Sequence, residues 1–202
     1  MVDLLVVVAD KNMQFGVSGG LNRADALGIR SISAEFIVHP NKDGGMRKDG
    51  PELAALRRKR ATHSVLLLDY EGCGERDTAL ALEQNLDNRL AKTWGDLAKA
   101  IVIEPEVDIW IWGSDNALQT ILGWTGRPPI RAWLSAAGFQ MGANGKPDRP
   151  KEALEAVMEE LRRPRSSSYY EEITSRISLQ NCHDAAFVRL RDRLQQWFPA
   201  TQ

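Results

Sequence analysis

Three apolar runs in this 202-residue chain end on acids. Leu4 to Ala9 closes on Asp10. Val65 to Leu68 closes on Asp69, with Glu71 two residues beyond in the stretch HSVLLLDYEGCG. Lys99 to Ile103 closes on Glu104, with Glu106 and Asp108 directly after it. Carboxylates crowded together repel one another unless they are protonated or bound to a cation. A hard divalent ion suits such an all-oxygen set, because Mg²⁺ takes one or two carboxylates and fills its remaining positions with water and substrate phosphate. The chemistry implied is phosphoryl transfer or phosphodiester hydrolysis, in which the ion clamps charged oxygens and activates water. Asp and Gly are also ordinary turn residues, and Asp is a favoured helix N-cap, so a structural role for Asp10 and Asp69 is compatible with a chemical one.

These acids meet only if the runs that carry them lie side by side and point the same way. Unalternating apolar runs of this length read as strands buried on both faces, the pattern of a parallel sheet. Residues 4–9, 32–38, 64–69 and 99–104 are the four expected strands, with the first central and the second, partly alternating, nearer an edge. Helical stretches between them make this an α/β chain with a mostly parallel four-stranded sheet and helices on both faces. Ligands bind such sheets at the carboxyl ends of the strands.

The connecting elements are less regular. A helix is expected from Asp10 through Val17, interrupted at Gly19 and Gly20, resuming over Leu21 to Leu27 and stopping at Gly28. Pro40 to Gly50 reads as loop by composition, followed by a helix from Pro51 to Arg60. Leu80, Leu82, Leu86 and Leu90 form a stripe on a helix over 77–90. Trp110 and Trp112 read as core anchors. Short helices follow near 116–122 and 130–137. Residues 1–138 form the α/β domain, 139–150 a linker or flap rich in glycine and proline, and 151–202 a helical C-terminal extension.

Composition narrows the function. A hydrophobic fraction of 43% with 26% charged residues is ordinary for a globular protein, and a net charge of -1 leaves any polyanion contact to local patches. The densest patch, Arg57, Arg58, Lys59 and Arg60, reads as a solvated helix end. Two cysteines without a CxxC and three scattered histidines provide no zinc-ligand spacing. The apolar N-terminal run is too short for a membrane span and has no basic leader, so a cytoplasmic protein with reduced thiols and no membrane contact is expected. No GxxxxGK[ST], GxGxxG or GxSxG motif is present, which removes P-loop, dinucleotide and serine-hydrolase readings.

An acid after the first strand (Asp10), an acid-x-acid after a later one (Asp69 and Glu71) and the P-E-x-acid-x-W segment (Pro105, Glu106, Asp108, Trp110) resemble the small TOPRIM-type proteins of bacterial defence islands. The stretches Ala9 to Met13, Leu27 to Arg30, Val38 to Pro40 and Asp69 to Gly74 are similar to a subset that accompanies methylation-associated phage-defence systems. Tyr170, Cys182, Phe187 and Trp197-Phe198-Pro199 extend the likeness to the C-terminus. The resemblance implies a TOPRIM-like sheet, with Asp10, Asp69 and Glu71 as catalytic residues and Asp69, Glu71 and Glu106 holding Mg²⁺ or Mn²⁺. It further implies a metal-dependent nuclease acting on nucleic acid, in the company of other defence-system proteins. TOPRIM enzymes generally carry Glu at the first position and Asp-x-Asp at the second. The exchange at both positions here sustains a second class, a catalytically inactive TOPRIM-like interaction subunit.

Overall fold

The computed structural model describes residues 1–200. Its centre is a four-stranded, all-parallel sheet in the order β2-β1-β3-β4, with β1 Val2–Val8, β2 Ala34–Val38, β3 Ala61–Asp69 and β4 Ala98–Ile103. The α/β class and the four expected strands are therefore as the sequence indicates. Leu4 to Val8, Leu66 to Leu68 and Ala100 to Ile103 are completely buried, which is why these stretches carry no polar alternation.

Helices α1 (Lys11–Leu21), α2 (Ala24–Leu27), α3 (Lys42–Ala55) and α4 (Ala79–Trp94) connect the strands. Beyond β4 lie α5 (Asp108–Ile111), α6 (Asp115–Leu122), α7 (Ile130–Ala136), α8 (Pro150–Glu160), α9 (Ser168–Thr174) and α10 (Ala185–Trp197). Helices α3 and α4 pack together against β3 and β4, while α1 packs on α9 and α10 reaches β4. Residues from α8, α9 and α10 belong to the same hydrophobic core as the sheet. Trp110 and Trp112 anchor in that core, and their indole N–H groups donate to Asp184 Oδ1 (2.9 Å) and to the Pro150 carbonyl (3.0 Å). In the 139–150 segment Met141 bridges to Pro147, and Lys146 donates to the Ile109 carbonyl at 2.9 Å. Among the described residues no helix is long and apolar enough to cross a membrane.

Two helices differ from the expectation. The stretch read as loop, Pro40 to Gly50, is mostly helical, because α3 starts at Lys42 and runs through Gly50 and Pro51 to Ala55. Its glycines are contact points: a Cβ on Gly45 would lie 2.3 Å from the His39 ring, and one on Gly50 would lie 2.9 Å from Leu66 of β3. Pro51 has no N–H to give the carbonyl of Arg47, one turn back. Arg89 of α4 supplies the missing donor, at 2.9 Å to Arg47 O and 2.6 Å to Lys48 O. Tertiary contacts thus complete a helix whose composition argues against it. The basic run Arg57 to Arg60 then falls in the turn after α3 instead of at a helix end.

Helix α1 likewise continues through Gly19 and Gly20 to Leu21. A Cβ on Gly19 would sit 2.3 Å from Thr174 Oγ1 and 2.6 Å from the Glu171 carbonyl, so the missing side chain lets α9 pack directly on the α1 backbone. Gly20 has nothing within 4 Å of the same position. Gly19→Ala is expected to destabilise the protein by about 1–3 kcal/mol through overpacking. Gly20→Ala should be neutral or stabilising by up to about 1 kcal/mol through helix propensity. Chemical denaturation of the two variants checks the contrast, and equal effects at both positions would contradict this packing.

Candidate functional site

The register of the parallel strands brings the acids together. Val8 pairs with Leu67, so Asp10 and Asp69 each stand two residues beyond paired positions on adjacent strands. Asp69 itself pairs with Ile103 at the end of β4. The ladder then continues past both strands, with Tyr70 N–H donating to Ile103 O (2.8 Å) and Glu71 N–H to Pro105 O (2.9 Å). Those two bonds hold the segment carrying Glu106 and Asp108 against the end of β3.

Each acid is then tied by a specific donor. Asp10 Oδ1 accepts from Met13 N–H at 2.9 Å and so caps α1, the structural role its residue type suggested. Asp69 Oδ1 accepts from Val107 N–H at 2.8 Å, while the Asp69 N–H donates to Asp43 Oδ1, also at 2.8 Å. Glu106 Oε1 accepts from Lys151 N–H in the first turn of α8 at 3.1 Å. Asp108 Oδ1 accepts from the Tyr170 hydroxyl at 2.6 Å and from Arg165 at 3.0 Å, and Arg165 also bonds that hydroxyl and Glu155. The edge is thus sewn from six separate stretches of chain.

Burial without full compensation marks the electrostatics. It pushes Asp69 well above the usual carboxylate range, and the charge of Asp43 adds to the shift against the opposing Val107 hydrogen bond. Glu106, 5% exposed, is raised to about 7 by burial and then by the charge of Asp108, with Lys151 opposing. Asp43 and Asp108 are raised in the same direction, chiefly by burial, which at Asp108 outweighs Tyr170 and Arg165. The same burial lifts the Tyr170 phenol far above its ordinary range. Asp10 acts electrostatically on Asp43, Asp69 and Asp108, which places it within the same group of charges.

Of the acids singled out in the sequence, Asp10, Asp69 and Glu106 therefore share one sheet edge. Glu71 stands at that edge on the solvent side, exposed, and acts on Glu106. Glu104 is exposed. Among the described residues no group of three or more His, Cys, Asp or Glu side chains is placed to hold a metal ion, so Asp69, Glu71 and Glu106 do not form a three-carboxylate cage. Asp43 escaped sequence reasoning because it sits in the first turn of α3, where composition indicated loop. Arg165 and Tyr170 reach Asp108 from 57 and 62 residues away, a pairing with no local signal.

The chain matches no protein-family model, no curated protein and no solved structure.

The raised carboxyls fix the sign of a pH dependence. Folded Glu106 keeps its proton up to about pH 7, against 4.5 ordinarily, so the folded state binds more protons than the unfolded chain across that interval and stability falls as pH rises through it. His63, lowered mainly by burial, works the other way below its ordinary value of 6.5. Comparing the protein with Glu106→Gln isolates the carboxyl contribution. The melting temperature of the variant is expected to exceed that of the parent at pH 8, with the gap closing by pH 5. A gap independent of pH would contradict the assignment of a protonated Glu106.

Proposed function

We propose that the acidic sheet edge is a divalent-cation site for phosphodiester chemistry, in a TOPRIM-like component of antiphage defence. The observation that carries this reading is the convergence of Asp10, Asp43, Asp69, Glu106 and Asp108 on one edge, with four of them pushed towards the protonated form by burial and mutual repulsion. A cation would relieve that repulsion. Mg²⁺ typically needs only one or two protein carboxylates. Asp69 and Glu71, two residues apart at the end of β3, meet that requirement without a closed cage, and Glu106 and Asp10 stand as outer partners. When bound, the ion would polarise phosphoryl oxygens and lower the pKa of a coordinated water. Exposed Glu71 is free to meet a substrate from the solvent side, and Lys151 at the start of α8 offers a positive charge beside the acids.

A second reading, an interaction subunit without catalysis, is favoured by the hydrogen bonds themselves. Asp69, Glu106 and Asp108 each accept from a donor in a distant segment, and Asp10 caps its own helix, as purely structural acids do.

Incubating the protein with labelled single-stranded and duplex DNA, RNA and nucleotides, with and without Mg²⁺ or Mn²⁺, separates the two. The first reading expects metal-dependent cleavage that is lost in Asp69→Asn/Glu71→Gln. It also expects millimolar Mg²⁺ or Mn²⁺ to raise the melting temperature, about 2.7 kcal/mol of stabilisation at a hundredfold excess over the dissociation constant. The double variant should melt higher than the parent without metal and no longer respond to it. If the ions leave melting unchanged and the double substitution lowers stability, these acids are structural and the interaction subunit is the correct reading.

A further inference from the structure

The opposite edge of the sheet carries the opposite charge. Arg57, Arg58, Lys59 and Arg60 occupy the turn that leads into β3, and the Arg60 carbonyl accepts from Val2 N–H at 2.8 Å, which fixes that turn at the amino end of the central strands. Arg30 joins them through Asp3 near the start of β1, at 2.7 Å. Arg193 of α10 stacks 5.6 Å from the Trp197 ring, which in turn lies 4.8 Å from His63 of β3. Both Arg30 and Arg58 act electrostatically on His63, so these groups share one surface.

Only two of the six cations are offset: Arg30 by Asp3, and Arg60 by Glu35 at 3.4 Å. Arg57, Arg58, Lys59 and Arg193 have no carboxylate partner among the described residues. Asp96, exposed in the turn before β4, opposes them with a single charge. A net charge of -1 for the whole chain therefore hides a separation of sign along the strands. The nine residues of β3 span roughly 26 Å at about 3.3 Å per residue, so the basic edge lies well beyond contact distance of the acids.

We propose that this amino-terminal sheet edge is a docking face for the phosphate backbone of nucleic acid. Five of the six cations are arginines, whose planar forks match phosphate oxygens in a way that ammonium groups do not. Arg58 is preset by stacking 4.7 Å from the Trp94 ring, and Arg193 by stacking on Trp197. His63 and Trp197, which stack on each other, are partly exposed at the same edge, and unpaired bases can pack against their open parts. An acidic polypeptide would match the charge and the fork geometry but has no bases to pack against those rings. This inference does not depend on what the carboxylate edge does.

Fluorescence anisotropy of labelled 20-mer oligonucleotides, single-stranded and duplex, against salt concentration tests it, with polyglutamate as the acidic-polypeptide probe. Arg57→Gln/Lys59→Gln removes two exposed charges that have no partner, and an unchanged melting temperature verifies its fold. The expected result is binding by the parent at low salt, weakened roughly tenfold or more in the variant, with the log–log salt slope shallower by about 1.5. Absence of low-salt binding, or an unaltered affinity and slope in the basic-edge variant, overturns the proposal. Polyglutamate binding as tightly as the oligonucleotides overturns the assignment to nucleic acid in favour of an acidic protein partner.

Discussion

Four strands that run the same way must deliver their carboxyl ends to one side of the sheet, and in this protein three of those ends carry acids. The arrangement is costly, because burying a carboxyl group and placing others beside it both disfavour its charge. The fold contains the cost with directed donors: Val107 N–H for Asp69, Lys151 N–H for Glu106, and the Tyr170 hydroxyl with Arg165 for Asp108. Each donor belongs to a different segment, so keeping the acids satisfied also fixes how the chain after β4 wraps the sheet.

The same accounting of polar groups closes the outer edge. β4 is a terminal strand whose outward N–H groups would otherwise face solvent or another chain. Asp87 and Glu83 of α4 accept from Ala100 N–H (2.8 Å) and Val102 N–H (3.0 Å). Arg189 of α10 then pairs with Glu83 and donates to the Val102 carbonyl at 3.0 Å. One buried acid from α4 and one arginine from α10 thereby bind the C-terminal helices to the sheet. The two free cysteines, Cys73 and Cys182, are both buried and take no part in this bracing.

The sheet was legible because parallel strands buried on both faces must be apolar throughout, and Leu4 to Val8 and Val65 to Leu68 are. Asp10 and Asp69 were legible for a related reason, as the first polar residues after such runs. Helix α3 was not, since Gly44, Gly45, Gly50 and Pro51 favour loop locally and the compensating partners, His39, Leu66 and Arg89, lie outside the helix. Asp43 was missed together with the helix that presents it. The continuation of α1 through Gly19 was hidden by the same cause, a glycine that serves close packing on Thr174 instead of chain reversal. The basic turn at residues 57–60 was visible as composition, but its position opposite the acids and its company of Arg30, Arg193 and stacked rings follow only from the three-dimensional arrangement.

The account of the acidic edge rests on carboxyl groups that burial and neighbouring charge push towards the protonated form. Carboxyl-selective ¹³C NMR on protein labelled at aspartate and glutamate side chains, titrated from pH 4 to 9 without divalent ions, observes those protons directly. Glu106 is expected to titrate near 7, and Asp69 to hold its proton well above the ordinary aspartate range, each assigned by loss of its signal in Glu106→Gln and Asp69→Asn. If both groups instead titrate near 4, as solvated carboxylates do, the edge is electrically relaxed and the account of a strained acidic site is wrong.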